Sequence, residues 1–414
     1  MSEDTPAALD DVRVLDLTGE IGAYCTKLLA DLGADVIKIE PPGGDPARNI
    51  GPFYHDQPGP DSSLTFLNLN TSKRSVTLDL DDESDRETFR KLAKTADIVV
   101  ESFPPGYLDD LGLGYEGLCE LREDIIVTSI TGFGATGPHA GYLAPDIVGV
   151  AMAGIMWLAG DPQDPPNLPF GNQGYLSASV QAASGTMMAL YHRDVTGEGQ
   201  HVDVSMQEAL LIAQETAMQT YDMNKSVRNR TGERGNIPVA IPGFGPYATS
   251  DGWIYCYVGT PGGAPWAELL KWMEEEGKAE DLGDEPFRGV IEQLDIRFLT
   301  GLALNPEEGM KHLPTLNHIN DVLHRFCAGK TRWELYEQGQ GRRLLIGIVS
   351  TPEDLVKNPQ LKARAWFQDV RHEELDATIR YPGPPVRLSE TPWRIASHAP
   401  QAGEHTAEVL GELT

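Results

Sequence analysis

The sequence predicts an α/β protein: a large domain built on a parallel sheet with helices on both faces, joined to a smaller α+β domain. Three observations predict it. Between residues 12 and 134, near-continuous apolar runs of strand length alternate with helical patterns, as in a parallel sheet buried on both faces. The chain has 414 residues, more than one hydrophobic core normally holds. At 231–262 the composition turns rich in Gly and Pro, which marks the entrance to a second domain.

Each element can be justified in order. VRVLDLTG (12–19) is the first strand, and AYCTKLLADLG (23–33) is the helix after it. ADVIKIE (34–40) and KRSVTLDL (73–80) continue the sheet, SDRETFRKLAKTA (84–96) is an amphipathic helix, and DIVVESF (97–103) and IIVTSITGFG (125–134) add two more strands. HVDVSM (201–206) is strand-like, and MQEALLIAQETAMQTYDMN (206–224) is a long helical run. This is a Rossmann-like large domain, with its first part at 1–225. A small domain follows at 226–330. The C-terminal part, 331–414, returns to the large domain through the Pro-rich PGPPVRLSETPW (382–393).

Composition excludes several functions. No apolar stretch approaches the roughly 20 residues of a membrane helix, and the acidic start MSEDTPAALDD lacks the parts of a signal peptide. A soluble, cytoplasmic protein with no membrane partner is expected. The net charge of −29 argues against nucleic acid, because little here could neutralise a phosphate backbone. Cys25, Cys119, Cys256 and Cys327 are far apart and form no CxxC pair, so they indicate neither a zinc site nor a disulfide framework. No GxGxxG follows the first strand and no P-loop occurs, so no tightly bound nucleotide cofactor is expected.

One loop stands out, PFGNQGYLSASVQAAS (169–184). Gly171 and Gly174 lead into Tyr175 and then a helix-like run of small residues, an arrangement that aims one side chain at a ligand.

Seven stretches together resemble the class III CoA-transferases, the group of formyl-CoA and carnitine CoA-transferases and α-methylacyl-CoA racemase. They are VLDLTGEIGAYCTKLLADLGADVIKIEPPGGDPAR (14–48), LNLNTSKRSVTLDL (67–80), ADIVVESFPPGYLDDLG (96–112), SITGFGATGP (129–138), TGEGQHVDVSM (196–206), NPQLKARAWF (358–367) and GEHTAEVL (403–410). They run in family order over nearly the whole chain. The resemblance implies two subunits threaded through each other as an interlocked dimer. It also implies a reaction on an acyl-CoA and a small carboxylic acid. An aspartate attacks the thioester to give a mixed anhydride, CoA returns to give an aspartyl thioester, and a carboxylate completes the exchange.

The family's aspartate is placed by its spacing from an upstream [HYP][DE] pair and a downstream GxGQ turn. Pro145 and Asp146 match the first, Gly199 and Gln200 the second, and both spacings land on Tyr175 without a gap. A phenol, with a reference pKa near 10, is ionised to roughly a thousandth at pH 7. The same match excludes the racemase branch, which needs a histidine at Pro145 and an aspartate at Tyr175. Asp146 reads as a residual acid or as a helix N-cap.

The CoA site implied by the resemblance is degenerate. Arginines of active relatives are replaced by Pro41 and Asp110, a lysine by Leu143, and a glutamine by Glu20 or Ile21. Phe103 lies in the same region, and the glycine-rich loop of the small domain is thinned to PGFGP (242–246). Arg48, Lys73 and Arg74 remain, each also readable as a charge that supports the fold. Losing two or three hydrogen bonds to charged phosphates would cost on the order of 3–9 kcal/mol. The expectation is a non-catalytic subunit, with no intact catalytic residue, paired with a paralogous subunit that carries the aspartate. CoA or acyl-CoA is then the substrate of the complex, with succinyl-CoA as donor. Two alternatives stand beside it: an active transferase, lyase or isomerase using Tyr175 and Asp146, and a non-enzymatic binding homodimer.

Overall fold

The structure is a computed structural model that describes residues 6–232 and 241–413. Residues 233–240 of the Gly- and Pro-rich entrance lie outside the described residues. The chain forms two compact units. The first takes residues up to Met156, Leu168–Val227 and the chain from Pro359 onward; the second takes Trp157–Asn167 and Arg228–Asn358.

In the first unit the strands and helices alternate as the periodicity predicts. The order is β1 (Arg13–Leu17), α1 (Ala23–Asp31), β2 (Asp35–Glu40), α2 (Leu64–Leu69), β3 (Lys73–Thr77), α3 (Glu83–Ala93), β4 (Ile98–Glu101), α4 (Tyr107–Asp110), α5 (Tyr115–Leu121) and β5 (Ile126–Thr131). Then come α6 (Asp146–Met152), α7 (Ile155–Leu158), α8 (Gln173–Thr196), β6 (His201–Ser205), α9 (Met206–Leu211) and α10 (Ala217–Asn224). The helical run at 206–224 is broken between α9 and α10, where Glu215 takes a φ of 51°.

All six strands are parallel in the order β3-β2-β1-β4-β5-β6. Alternate residues feed two cores. Val14, Val36 and Ile98 enter one with α1 and α8, and Leu15, Ile37 and Val99 enter the other with α3 and α5. Helix α8 lies close against its core through the small residues Ala178, Ala182, Ala183 and Ala189.

The second unit holds an antiparallel sheet of β7 (Phe244–Thr249), β8 (Gly252–Tyr257) and β9 (Ile346–Ile348). Around it are α11 (Trp266–Glu275), α12 (Phe287–Ile291), α13 (Ile296–Leu304), α14 (Pro306–Ala328), α15 (Arg332–Gly341) and α16 (Pro352–Lys357). The return to the first unit therefore comes at Pro359, later than the 331 read from the sequence. The reason is the pairing of β9 with β8, which keeps α15 and β9 in the second unit. The first unit closes with α17 (Pro359–Ala363), the hairpin β10 (Gln368–His372) and β11 (Ala377–Tyr381), and α18 (Thr406–Gly411). Hydrogen bonds from His405 N to Ser75 O and from Thr77 N to Thr406 Oγ1 fasten this end to β3. Among the described residues no helix is long and apolar enough to cross a membrane.

Candidate active site

In an open parallel sheet the ligand crevice lies beyond the carboxyl ends of the strands, where the strand order reverses. Here that point is between β1 and β4. Glu20 follows β1 and Phe103 follows β4, and the two loops are tied by Gly19 N donating to Ser102 Oγ at 2.9 Å. Pro41 follows β2 and Asp110 ends α4, both exposed. Leu143, in the loop before α6, is 89% exposed. Four of the expected residues thus lie in loops that leave the carboxyl side of the sheet, and Asp110 lies in the short helix that follows β4.

Tyr175 sits in the first turn of α8, half-buried against the α1–α8 core. Asp146 begins α6, so the N-cap of its own helix is Pro145 and not Asp146. Its buried carboxylate caps a different helix. Asp146 Oδ1 accepts from the backbone amides of Gly174 at 2.7 Å and Tyr175 at 3.0 Å, two of the unpaired donors at the start of α8. The close approach explains Gly174, where a Cβ would lie 2.9 Å from that oxygen and 2.8 Å from Met206 Sδ.

Burial pushes the Tyr175 hydroxyl above the ordinary phenol range. The backbone of Asp146 opposes that by hydrogen bonding, and the charges of Glu20 and Asp146 add to it. The surroundings therefore favour the neutral phenol. Glu20 reaches the same place, with Asn172 Nδ2 donating to its Oε1 at 3.4 Å. Burial and the nearby Asp45 charge raise its carboxyl, the Asn172 bond lowers it, and Asp146 raises it further. The centre is acidic and short of cations.

The three remaining cations are engaged elsewhere. Arg48 is buried and grips Glu40 with Nε and Nη2, each at 2.7 Å, while Nη2 also donates to the Pro400 carbonyl. Lys73 is buried against Asp16, Thr26 and Asn70, each at 2.8 Å. Burial alone would raise the Asp16 carboxyl, but Lys73 and Lys38 hold it far below the usual carboxylate range. Arg74, at the start of β3, pairs with Asp35, Glu408 and Glu412, towards the amino edge of the sheet and away from Glu20 and Phe103. Sequence reasoning could list these cations but could not see their carboxylates, which come from other strands and from the C-terminal helix.

A feature not foreseen is a cavity of about 410 Å³ beside the β4 and β5 ends. Glu101, Asp109, Tyr115, Ser129 and His201 line it, with no lysine or arginine. Ser129 Oγ lies 2.9 Å from His201 Nε2. Burial raises the Glu101 carboxyl, hydrogen bonds from Ser129 and the Phe103 backbone oppose this, and Asp109 and Asp203 add to it. The polar alternation Ser129, Thr131 along β5 was the available signal. All four cysteines are free; Cys25, Cys256 and Cys327 are buried and Cys119 is partly exposed.

The family model described as CoA-transferase family III matches residues 9–406. The chain belongs to that family. It is 39% identical over 402 residues to succinyl-CoA:(R)-benzylsuccinate CoA-transferase subunit BbsE of Thauera aromatica, covering 97% of this chain and 93% of that one. It is 33% identical over 410 residues to succinyl-CoA:mesaconate CoA-transferase of Haloarcula hispanica, covering 98% and 96%. Among solved structures, a CAIB/BAIF family protein from Brucella suis matches with a TM-score of 0.81 and 26% identity over 99% of this chain and 100% of that one. CoA-transferases use CoA thioesters as substrates, and that is the activity class these relatives support for the chain.

Proposed function

We propose that this chain is a non-catalytic subunit of a heteromeric CoA-transferase, paired with a paralogous chain that carries the aspartate. The observation that carries the reading is Tyr175, a neutral phenol whose amide is held by Asp146 at the point where the family places its nucleophile. Two further features support it. Arg48, Lys73 and Arg74 are spent on carboxylates of the fold and are not free for CoA phosphates. The helix that carries Tyr175 also leaves an apolar stripe in water. Val180, Met188, Tyr191 and Val195 are 43, 68, 74 and 68% exposed, at helical spacing, as expected of a face covered by another chain.

The relative named as subunit BbsE suggests the substrates: succinyl-CoA as donor and a bulky arylsuccinate-like acid as acceptor. The test is co-expression with a paralogue that has aspartate at the matching position. The purified heteromer is expected to transfer CoA from succinyl-CoA to the acid, and the isolated chain to show no turnover and a CoA dissociation constant well above a micromolar. Steady turnover by the isolated chain, or micromolar binding in calorimetry, would sink the reading.

A further inference from the structure

Away from the candidate active site, three side chains converge where the C-terminal hairpin meets the segment after it. His372 ends β10 and is fully buried, Glu374 lies in the turn, and His398 comes from the stretch between β11 and α18. One nitrogen from each histidine and one Glu374 oxygen all lie within 4.8 Å of one another. His372 Nδ1 is 2.8 Å from Glu374 Oε1, His398 Nε2 is 3.9 Å from Oε2, and the two rings are 5.2 Å apart.

The far sides of the rings decide which nitrogens face inward. His398 Nδ1 lies 2.8 Å from the Ala399 carbonyl oxygen, which can only accept. That nitrogen therefore donates, which leaves Nε2 as the atom turned toward Glu374, too far for a hydrogen bond. His372 Nε2 meets the Tyr381 hydroxyl at 2.9 Å, leaving Nδ1 as its inward atom. Histidines that bind metals have the outer nitrogen fixed by a hydrogen bond in this way; here His372 Nδ1 also hydrogen-bonds Glu374 Oε1, a contact the ion would replace. Among the described residues, Glu374 has no lysine or arginine partner, only these two histidines.

We propose that His372, Glu374 and His398 form a binding site for a divalent transition metal, with zinc as the ion best matched to two imidazoles and a carboxylate. Zinc bonds of about 2.0–2.2 Å put the ligand atoms of a tetrahedral site about 3.3 Å apart. The candidate ligand atoms lie within 4.8 Å of one another, so side-chain shifts would draw them to that spacing to seat the ion. Three protein ligands leave one coordination position for water. The ion would pin the β10–β11 hairpin to the segment that leads to α18.

The test uses the full chain stripped with a chelator, then titrated with zinc against a chromophoric competitor, and with cobalt for its absorption spectrum. One equivalent should bind, and zinc should raise the melting temperature. His398→Ala, at a partly exposed position, and Glu374→Gln should each weaken binding at least tenfold and remove the thermal shift. His318→Ala, which alters an exposed histidine of the second unit, should change neither. No zinc bound at micromolar concentration, or equal affinity in His398→Ala, would overturn the proposal. So would a thiolate charge-transfer band in the cobalt spectrum, which would place the ion at a cysteine.

Discussion

Replacing Asp146 by alanine removes the acceptor that holds the Gly174 and Tyr175 amides at the start of α8. Hydrogen bonds to charged groups contribute about 1.5–3 kcal/mol each, but a single oxygen accepts both here, so a combined loss of about 2–4 kcal/mol is expected. Asp146 is 8% exposed, so water cannot readily take its place. Asparagine caps about as well as aspartate, and Asp146→Asn should lose mainly the charge–dipole part, about 0.3–1 kcal/mol. Amide hydrogen exchange, read by mass spectrometry on a peptide spanning 171–180, measures the effect where it occurs. At 1.4 kcal/mol per tenfold, exchange should accelerate about 30- to 700-fold in the alanine variant and less than about fivefold in the asparagine variant. If asparagine were as damaging as alanine, the charge itself would be the essential feature and the capping argument would fail. Exchange within twofold of wild type in Asp146→Ala would refute it as well.

Three further outcomes follow from the same geometry. Tyr175→Asp alone should stay inactive in a single-turnover assay that traps an aspartyl-CoA adduct, because Glu20 and Asp146 already make the centre acidic and Arg48, Lys73 and Arg74 are paired with carboxylates of the fold. Adding Pro41→Arg and Asp110→Arg should bring measurable CoA binding, and strong activity from the single substitution would contradict this. Arg48→Met leaves Glu40 buried with Ser75 and a backbone amide as its remaining partners, and should cost about 3–5 kcal/mol in urea unfolding. If CoA affinity of a folded variant fell instead, Arg48 would be a ligand rather than a fold-supporting charge. Glu20→Gln tests the raised carboxyl. A raised folded pKa lowers stability once pH exceeds the unfolded value near 4.3, so the variant should be the more stable at pH 7, with the gain fading as pH falls to about 4. A variant less stable than wild type at pH 7 would show that ionised Glu20 is held by a favourable partner.

The sequence by itself determined the parallel sheet. Strand residues such as Val14, Leu15, Val36 and Ile37 announce a sheet buried on both faces because burial on alternate sides is a local, period-two property of the chain. The expectation for Tyr175 came from spacing alone, measured from Pro145–Asp146 and from Gly199–Gln200. Only the tertiary structure decided what the charges do. Asp146 looked like the cap of its own helix and instead caps α8, because the packing of α6 brings its carboxylate over the start of that helix. Lys73 and Arg74 could be counted but not assigned, since Asp16 and Glu412 reach them from another strand or from the far end of the chain. The end of the second unit at Asn358 was hidden for a similar reason, the pairing of β9 with β8 across a long insertion. Apolar periodicity is written into neighbouring residues, whereas the partner of a buried charge or a strand is chosen by which segments the fold brings together.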